Sequence, residues 1–198
     1  MTRPLVVAVT DRSLCKNIES QVKKIVYARV DAIILREKDL SPDEYLFLAK
    51  RLRDICAGTG TKLFINTFTE IAMNIGIGNL QLPLDKFESD QNTMSRFDSV
   101  WVSVHSSEEA VRAEMLGADA VIYGNVFETS CKPGLEPKGL EKLEDVCHSV
   151  KIPVLGIGGI DENNSSKVME RGAKGVCLMS RLMKADDPSA VVSKIKIV

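Results

Sequence analysis

Apolar and polar positions follow two rhythms along this chain. Runs of four or five mostly apolar residues, rich in Val, Ile and Leu, recur at 5–9, 32–35, 62–65, 79–82, 100–104, 120–123, 153–157 and 175–179. Several are nearly continuous instead of alternating, the pattern of parallel strands covered on both faces. Between them lie amphipathic stretches of helical length. Ser41 and Pro42 followed by Asp43 and Glu44 open one of these: a capping side chain, a proline in the first turn, then acids at the positive end of the helix dipole. Ser106-Ser107-Glu108-Glu109 and Asp161-Glu162-Asn163-Asn164 open two more.

Helices give way to strands through a repeated phrase. Gly117-Ala118-Asp119-Ala120-Val121 and Gly172-Ala173-Lys174-Gly175-Val176 share it, and Arg29-Val30-Asp31-Ala32-Ile33 is a looser copy. A glycine just past a helix end suits the left-handed cap. Eight strand–helix units leave two architectures, a closed barrel or a doubly wound open sheet. Glycine-rich loops after the seventh and eighth strands favour a (β/α)8 TIM barrel, an α/β fold, over residues 1–198 as one domain. The stretch 85–96 carries the faintest of the helical patterns; it is polar, and the alternative is a stretch that is largely loop.

A length of 198 residues suits one domain, near the lower end for such a barrel. With 44% hydrophobic residues the chain can bury a core without metals or disulfides. A net charge of -1 provides no basic surplus for a nucleic-acid backbone. The longest apolar runs fall far short of the roughly 20 residues that span a membrane, and the amino terminus opens on a strand pattern without signal-peptide architecture. Cys15, Cys56, Cys131, Cys147 and Cys177 are odd in number and scattered, which suggests neither a disulfide framework nor a zinc site. Cys56, Cys147 and Cys177 sit in apolar-periodic stretches and are expected to be core thiols in a reduced, cytoplasmic protein.

In a barrel, functional groups gather at the carboxyl ends of the strands. The seventh strand ends at Gly156-Ile157-Gly158-Gly159 and the eighth at Met179-Ser180-Arg181. Side by side, two such loops with helix starts behind them form the usual barrel phosphate site, here through Gly158, Gly159, Met179 and Ser180. A dinucleotide fingerprint fits poorly, because these glycines do not follow the first strand. The second strand runs into Arg36-Glu37-Lys38, where Arg36 could fork onto a carboxylate or phosphate; the alternative is a solvated, self-paired loop. Asn66 ends the third strand and suits either heterocycle recognition or a helix cap. Ser103 and His105 share one face of the fifth strand, His105 being a structural or a catalytic histidine; His148 falls on the opposite face. The long loop after the sixth strand carries Asn125, Thr129, Cys131 and Lys132, with Lys132 able to approach phosphate and Thr129 able to bond a substrate.

These residues resemble the thiamine phosphate synthase superfamily, and most closely its thiazole tautomerase (TenI-like) branch. The resemblance covers nearly the whole chain, through Val9-Thr10-Asp11-Arg12, Leu35-Arg36-Glu37-Lys38, Gln81-Leu82-Pro83, Ser103-Val104-His105-Ser106, Val126-Phe127-Glu128-Thr129-Ser130-Cys131-Lys132 and Gly156-Ile157-Gly158-Gly159-Ile160. It implies a homo-oligomeric barrel, a dimer or tetramer, that binds a thiazole phosphate in thiamine biosynthesis. Two departures rank the activities. Synthases of the family hold magnesium with an Asp after the third-strand Asn and another after the fourth strand; here Thr67 follows Asn66, and Lys86, beside Asp85, takes the second position. Ile34 stands where synthases have Gln. Loss of metal carboxylates weakens activation of a diphosphate leaving group, so tautomerase, an isomerase without cofactor, ranks above synthase, a transferase with magnesium. The tautomerase branch carries its proton-shuttling histidine at Asn125, and an amide is no general base near neutral pH, which leaves Glu37, His105 or Cys131 as substitutes. A binding or regulatory protein with a degenerate site is the third possibility, and a sugar-phosphate isomerase a distant fourth.

Overall fold

The computed structural model describes residues 3–129, 134 and 136–197. Its elements run β1 (Leu5–Val9), α1 (Ile18–Tyr27), β2 (Ala32–Leu35), α2 (Pro42–Cys56), β3 (Lys62–Asn66), α3 (Thr69–Asn74), β4 (Asn79–Pro83), α4 (Leu84–Ser89) and α5 (Gln91–Met94). They continue with β5 (Ser99–Val104), α6 (Ser107–Met115), β6 (Ala120–Gly124), α7 (Gly139–Ser149), β7 (Val154–Ile157), α8 (Ser165–Glu170), β8 (Gly175–Leu178), α9 (Ser180–Met183) and α10 (Pro188–Lys196). Every neighbouring strand pair is parallel, and β1 pairs with β8 through Leu5↔Gly175 and Val7↔Cys177. That last pairing closes the sheet into an eight-stranded barrel and excludes the open doubly wound alternative.

The polar stretch after β4 is helical, not loop. Leu84 and Phe87 of α4 and Met94 of α5 are buried, and Asp90 caps α5 by accepting from Thr93 N at 3.2 Å. Three buried apolar anchors hold two short helices whose other residues are exposed, apart from the half-buried Gln91 and Thr93, so average polarity was a poor guide. Ser41 forms the full capping box with Glu44 ahead of α2, and Ser106 accepts from Glu109 N ahead of α6. The third expected start lies later: Asp161 accepts from the amides of Asn163 and Asn164 in a turn, and α8 begins only at Ser165.

Two apolar layers carry the fold. Alternate strand residues, among them Val7, Ile34, Phe64, Trp101, Ile122, Leu155 and Cys177, fill the barrel, where the Phe64 and Trp101 rings meet at 4.1 Å between centroids. The opposite strand faces pack on the helices around Ile33, Leu52, Ile65, Val102, Leu143 and Val176. Cys56 and Cys177 are buried, and Cys147 is half-buried against the core. Burial pushes the Cys56 and Cys147 thiols up to about 11 and the Cys177 thiol higher still.

The aspartate of the repeated joint phrase has a defined task. Asp31 Oδ2 accepts from Val6 N at 2.8 Å and Asp119 Oδ2 from Val100 N at 2.7 Å. Each thus satisfies an amide near the start of the preceding strand. In the third copy Lys174 stands at this position, and only the backbone bond from Lys174 N to Val154 O remains.

Candidate functional site

The carboxyl ends of the strands surround a cavity of about 690 Å³, within the range of small-ligand sites. Val9, Ile34, Ile122, Ile157 and Cys177 give it an apolar floor. Arg36, Lys38, Asn66, Ser103 and His105 line one part of its wall. Asn125, Thr129, Gly158, Gly159, Met179 and Ser180 line another. The strand period brings this about: in parallel strands, interior residues two apart climb from the packed core into the mouth, as Phe64 and Asn66 or Trp101 and Ser103 do.

One wall is a chain of amides. Asn66 Nδ2 donates to Gln81 Oε1 at 2.7 Å, and Gln81 Nε2 donates to Ser103 Oγ at 2.8 Å. This order fixes both amide orientations and leaves the Ser103 hydroxyl proton to donate elsewhere. Below it, the Tyr45 hydroxyl donates to Leu35 O and accepts from Asn66 N, which ties the ends of β2 and β3 together. Asn66 therefore serves β4 and the cavity, and does not cap α3, where no side-chain cap exists. Gln81 and Tyr45 were not among the sequence candidates. Alternation within 79–82 placed Gln81 on the interior face, and a polar residue there was the available signal.

The opposite wall is bare backbone. Gly158 and Gly159 adopt φ of +98° and +65°. A Cβ at Gly158 would lie 2.6 Å from Asn125 Cβ, and one at Gly159 2.3 Å from Glu128 O, so neither position admits a side chain. The helices behind them are weaker than the sequence suggested: α8 has 6 residues and α9 has 4, so little dipole is added. Arg181, a cavity-lining residue that was not a candidate, pairs with Glu162 through Nε at 2.7 Å and through a second bond from Nη2 to Oε1. The guanidinium holds the Glu162 carboxyl down at about 2.

Glu37 lies behind the described cavity wall. It is buried, is absent from the cavity wall, and both its oxygens accept from Arg12 N at 3.1 Å. With Thr10, whose hydroxyl accepts from Arg36 N at 2.9 Å, it ties the loop after β1 to the loop after β2. His105 Nδ1 lies 2.9 Å from Gly124 O; a carbonyl only accepts, so Nδ1 donates to it. Asn125 is buried and its Nδ2 donates to Phe127 O at 3.4 Å. His148 is exposed on α7. Cys131 and Lys132 lie outside the described residues.

The magnesium implied by the resemblance does not fit this donor set. Magnesium keeps several of its waters and is bound through one or two carboxylates together with substrate phosphates. Thr67 and Lys86 occupy the two expected acidic positions. Asp11 is the sole carboxylate on the described wall, and its Oδ1 already accepts from Ser13 N at 3.1 Å and Ser13 Oγ at 2.5 Å. No group of three or more His, Cys, Asp or Glu among the described residues could hold a metal. The backbone at Thr67 has φ of +72°, a left-handed conformation that Asn and Asp adopt more readily than a β-branched residue.

The family described as thiamine monophosphate synthase matches residues 6–182. The chain belongs to that family. A thiamine-phosphate synthase of Clostridium acetobutylicum is 34% identical over 184 residues, covering 89% of this chain and 86% of the relative. Another, of Pyrococcus furiosus, is 31% identical over 95% of this chain and 91% of its own length. Among solved structures, a thiamine phosphate pyrophosphorylase from Pyrococcus furiosus superposes with a TM-score of 0.87 at 29% identity, covering 98% of this chain and 94% of that one. These relatives overturn the ranking drawn from the sequence. They carry the synthase name, and none of them supports the tautomerase or the isomerase class. The missing acids weighed too heavily in that ranking, because two substitutions at a metal site leave the rest of a family's fold and pocket intact. No helix among the described residues is long and apolar enough to cross a membrane.

Proposed function

We propose that the protein is a transferase of thiamine biosynthesis that joins a pyrimidine diphosphate to a thiazole phosphate. The observation that carries this reading is the shape of the cavity. It has an apolar floor for flat rings, a wall of oriented amides beside Arg36 and Lys38, and a bare glycine backbone opposite. The family and the names of its relatives agree with it. In this reading Gly158, Gly159, Met179 and Ser180 hold the thiazole phosphate through backbone groups. Asn66, Gln81 and Ser103 meet the polar edge of the pyrimidine, while Arg36 and Lys38 face the diphosphate. Thr129 bonds a substrate polar group. The carbon–oxygen bond to the diphosphate breaks, the pair of electrons leaves with the diphosphate, and the thiazole nitrogen forms the new carbon–nitrogen bond. The chain's share is to hold the two reactants in line on a dry floor.

The direct test is to incubate purified protein with both phosphates and assay thiamine phosphate by its fluorescent oxidation product. Product above the buffer rate is expected; none with or without magnesium would rule the transferase out. Thr67 and Lys86 at the two acidic positions favour a second reading, a protein that binds these phosphates without joining them. Tight binding of thiazole phosphate without turnover would select it.

A further inference from the structure

The buried face of α1 is made by Gln21, Val22 and Ile25. Two of these are apolar; Gln21 is not, and a buried amide must find partners. Its Nε2 donates to Leu182 O at 2.7 Å and to Ala185 O at 2.8 Å. Carbonyls only accept, so both protons of the side-chain amide are used and its orientation is fixed. Leu182 O belongs to the last turn of α9, where carbonyls have no partner within the helix. Gln21 therefore caps α9 from a different helix. α9 depends on such support: it is four residues long, has no side-chain cap at its start, and one turn is not stable alone. Its tie from Arg181 to Glu162 uses a guanidinium exposed at the rim and contributes little. The buried amide is the firmer hold.

That hold reaches the cavity through two peptide units. The peptide joining Leu182 to Met183 has its carbonyl on Gln21 and donates its N–H to Met179 O at 2.9 Å. Leu182 N donates to the same oxygen at 3.1 Å. Met179 O and Ser180 N share one trans peptide, so they point in opposite directions, and fixing the oxygen aims the amide. Met179 and Ser180 line the cavity, whereas Gln21 does not.

We infer that Gln21 is a positioning residue for the substrate phosphate, which sets the aim of the Ser180 amide from outside the cavity. The inference rests on the reading of Met179 and Ser180 as ligands of the thiazole phosphate. Removing the two donors leaves Leu182 O and Ala185 O without this cap, α9 loosens, and the phosphate loses a donor aimed in advance. Asn66, Gln81 and Ser103 sit on β3, β4 and β5, across the barrel from β8, and are untouched.

The test is calorimetric titration of the full chain with thiazole phosphate and, separately, with the pyrimidine diphosphate, for wild type, Gln21→Leu and Gln21→Asn. Gln21→Leu nearly keeps the volume and removes both donors; Gln21→Asn keeps the amide one methylene short of its partners. Gln21→Leu should weaken thiazole phosphate binding by about tenfold and leave pyrimidine diphosphate within about twofold. Gln21→Asn should show the same selective loss to a smaller extent. An amide that served only the fold would lower the melting temperature and leave both affinities alone. A folded Gln21→Leu that binds thiazole phosphate as wild type does, or that loses both ligands equally, would overturn the inference and leave the phosphate reading standing. Should Gln21→Leu fail to fold, the same comparison on Gln21→Asn decides. A wild type that does not bind thiazole phosphate would remove the inference and the phosphate reading together.

Discussion

The two ends of the barrel treat charge in opposite ways. At the amino end, acids meet partners made for them: Asp31 holds Val6 N, Arg3 and Lys196, Asp119 holds Val100 N, and Glu114 accepts from Lys151 N and Ile152 N. At the carboxyl end, basic side chains crowd a cavity whose one described carboxylate is turned to a cap, and glycines expose their backbone. Satisfied charge at a strand joint holds the fold together. A surplus of basic over acidic side chains around an apolar floor attracts an anionic ligand. The asymmetry separates residues that build the barrel from residues that use it.

Substitutions at the two ends should therefore separate stability from binding. The largest effect is expected at Gly159→Ala, where a Cβ meets Glu128 O at 2.3 Å and φ is +65°. About 2–4 kcal/mol of stability should be lost through clash and left-handed strain, together with thiazole phosphate binding; wild-type melting and titration would break the backbone half of the comparison. Next, Asp119→Ala leaves the Val100 amide without its carboxylate, at a cost of about 1–3 kcal/mol. Its melting temperature should fall while thiazole phosphate affinity stays unchanged, and a change in affinity would blur the division between the ends. Gln81→Leu breaks the amide chain, so the KM for the pyrimidine substrate should rise about tenfold. The KM for the thiazole phosphate should hold, which steady-state kinetics can separate.

Smaller effects sharpen the picture. Thr67→Asn relieves a β-branched residue at φ of +72° and should raise stability by about 0.5–1 kcal/mol in chemical denaturation; a loss would mean that the Thr67 side chain makes contacts that outweigh the strain. The Glu162 carboxyl is depressed to about 2 by Arg181, below its unfolded value of about 4.3. Its contribution is fully present above pH 4.3 and is lost as pH falls toward 2. With Arg181 exposed at the rim the amount is under about 1 kcal/mol. Melting curves of wild type and Glu162→Gln should converge across that window, and a constant gap would show that the pair does not titrate as a unit.

Much of this was legible in the chain. The eight apolar runs anticipated the strands to within one residue at either end, because a strand buried on both faces leaves its signature in consecutive residues. The candidates at 36, 38, 66, 103, 105, 125, 129, 158, 159, 179 and 180 all reached the cavity, since strand ends in a closed barrel converge. Glu37 did not, because one step along a strand or its exit reverses the face, and the charge triplet alone could not say which member turned inward. Activity was ranked from two absent acids, and the relatives reversed that ranking.

The sequence by itself determined the units: period, caps and glycine joints are local, and each is written within a few residues of where it acts. Only the tertiary structure decided which groups face one another across the mouth. The Asn66–Gln81–Ser103 chain joins three strands, Glu37 reaches back to Arg12, and Glu162 holds Arg181 across 19 positions. Such partners are set by closure of the sheet and its register, which depend on every strand at once.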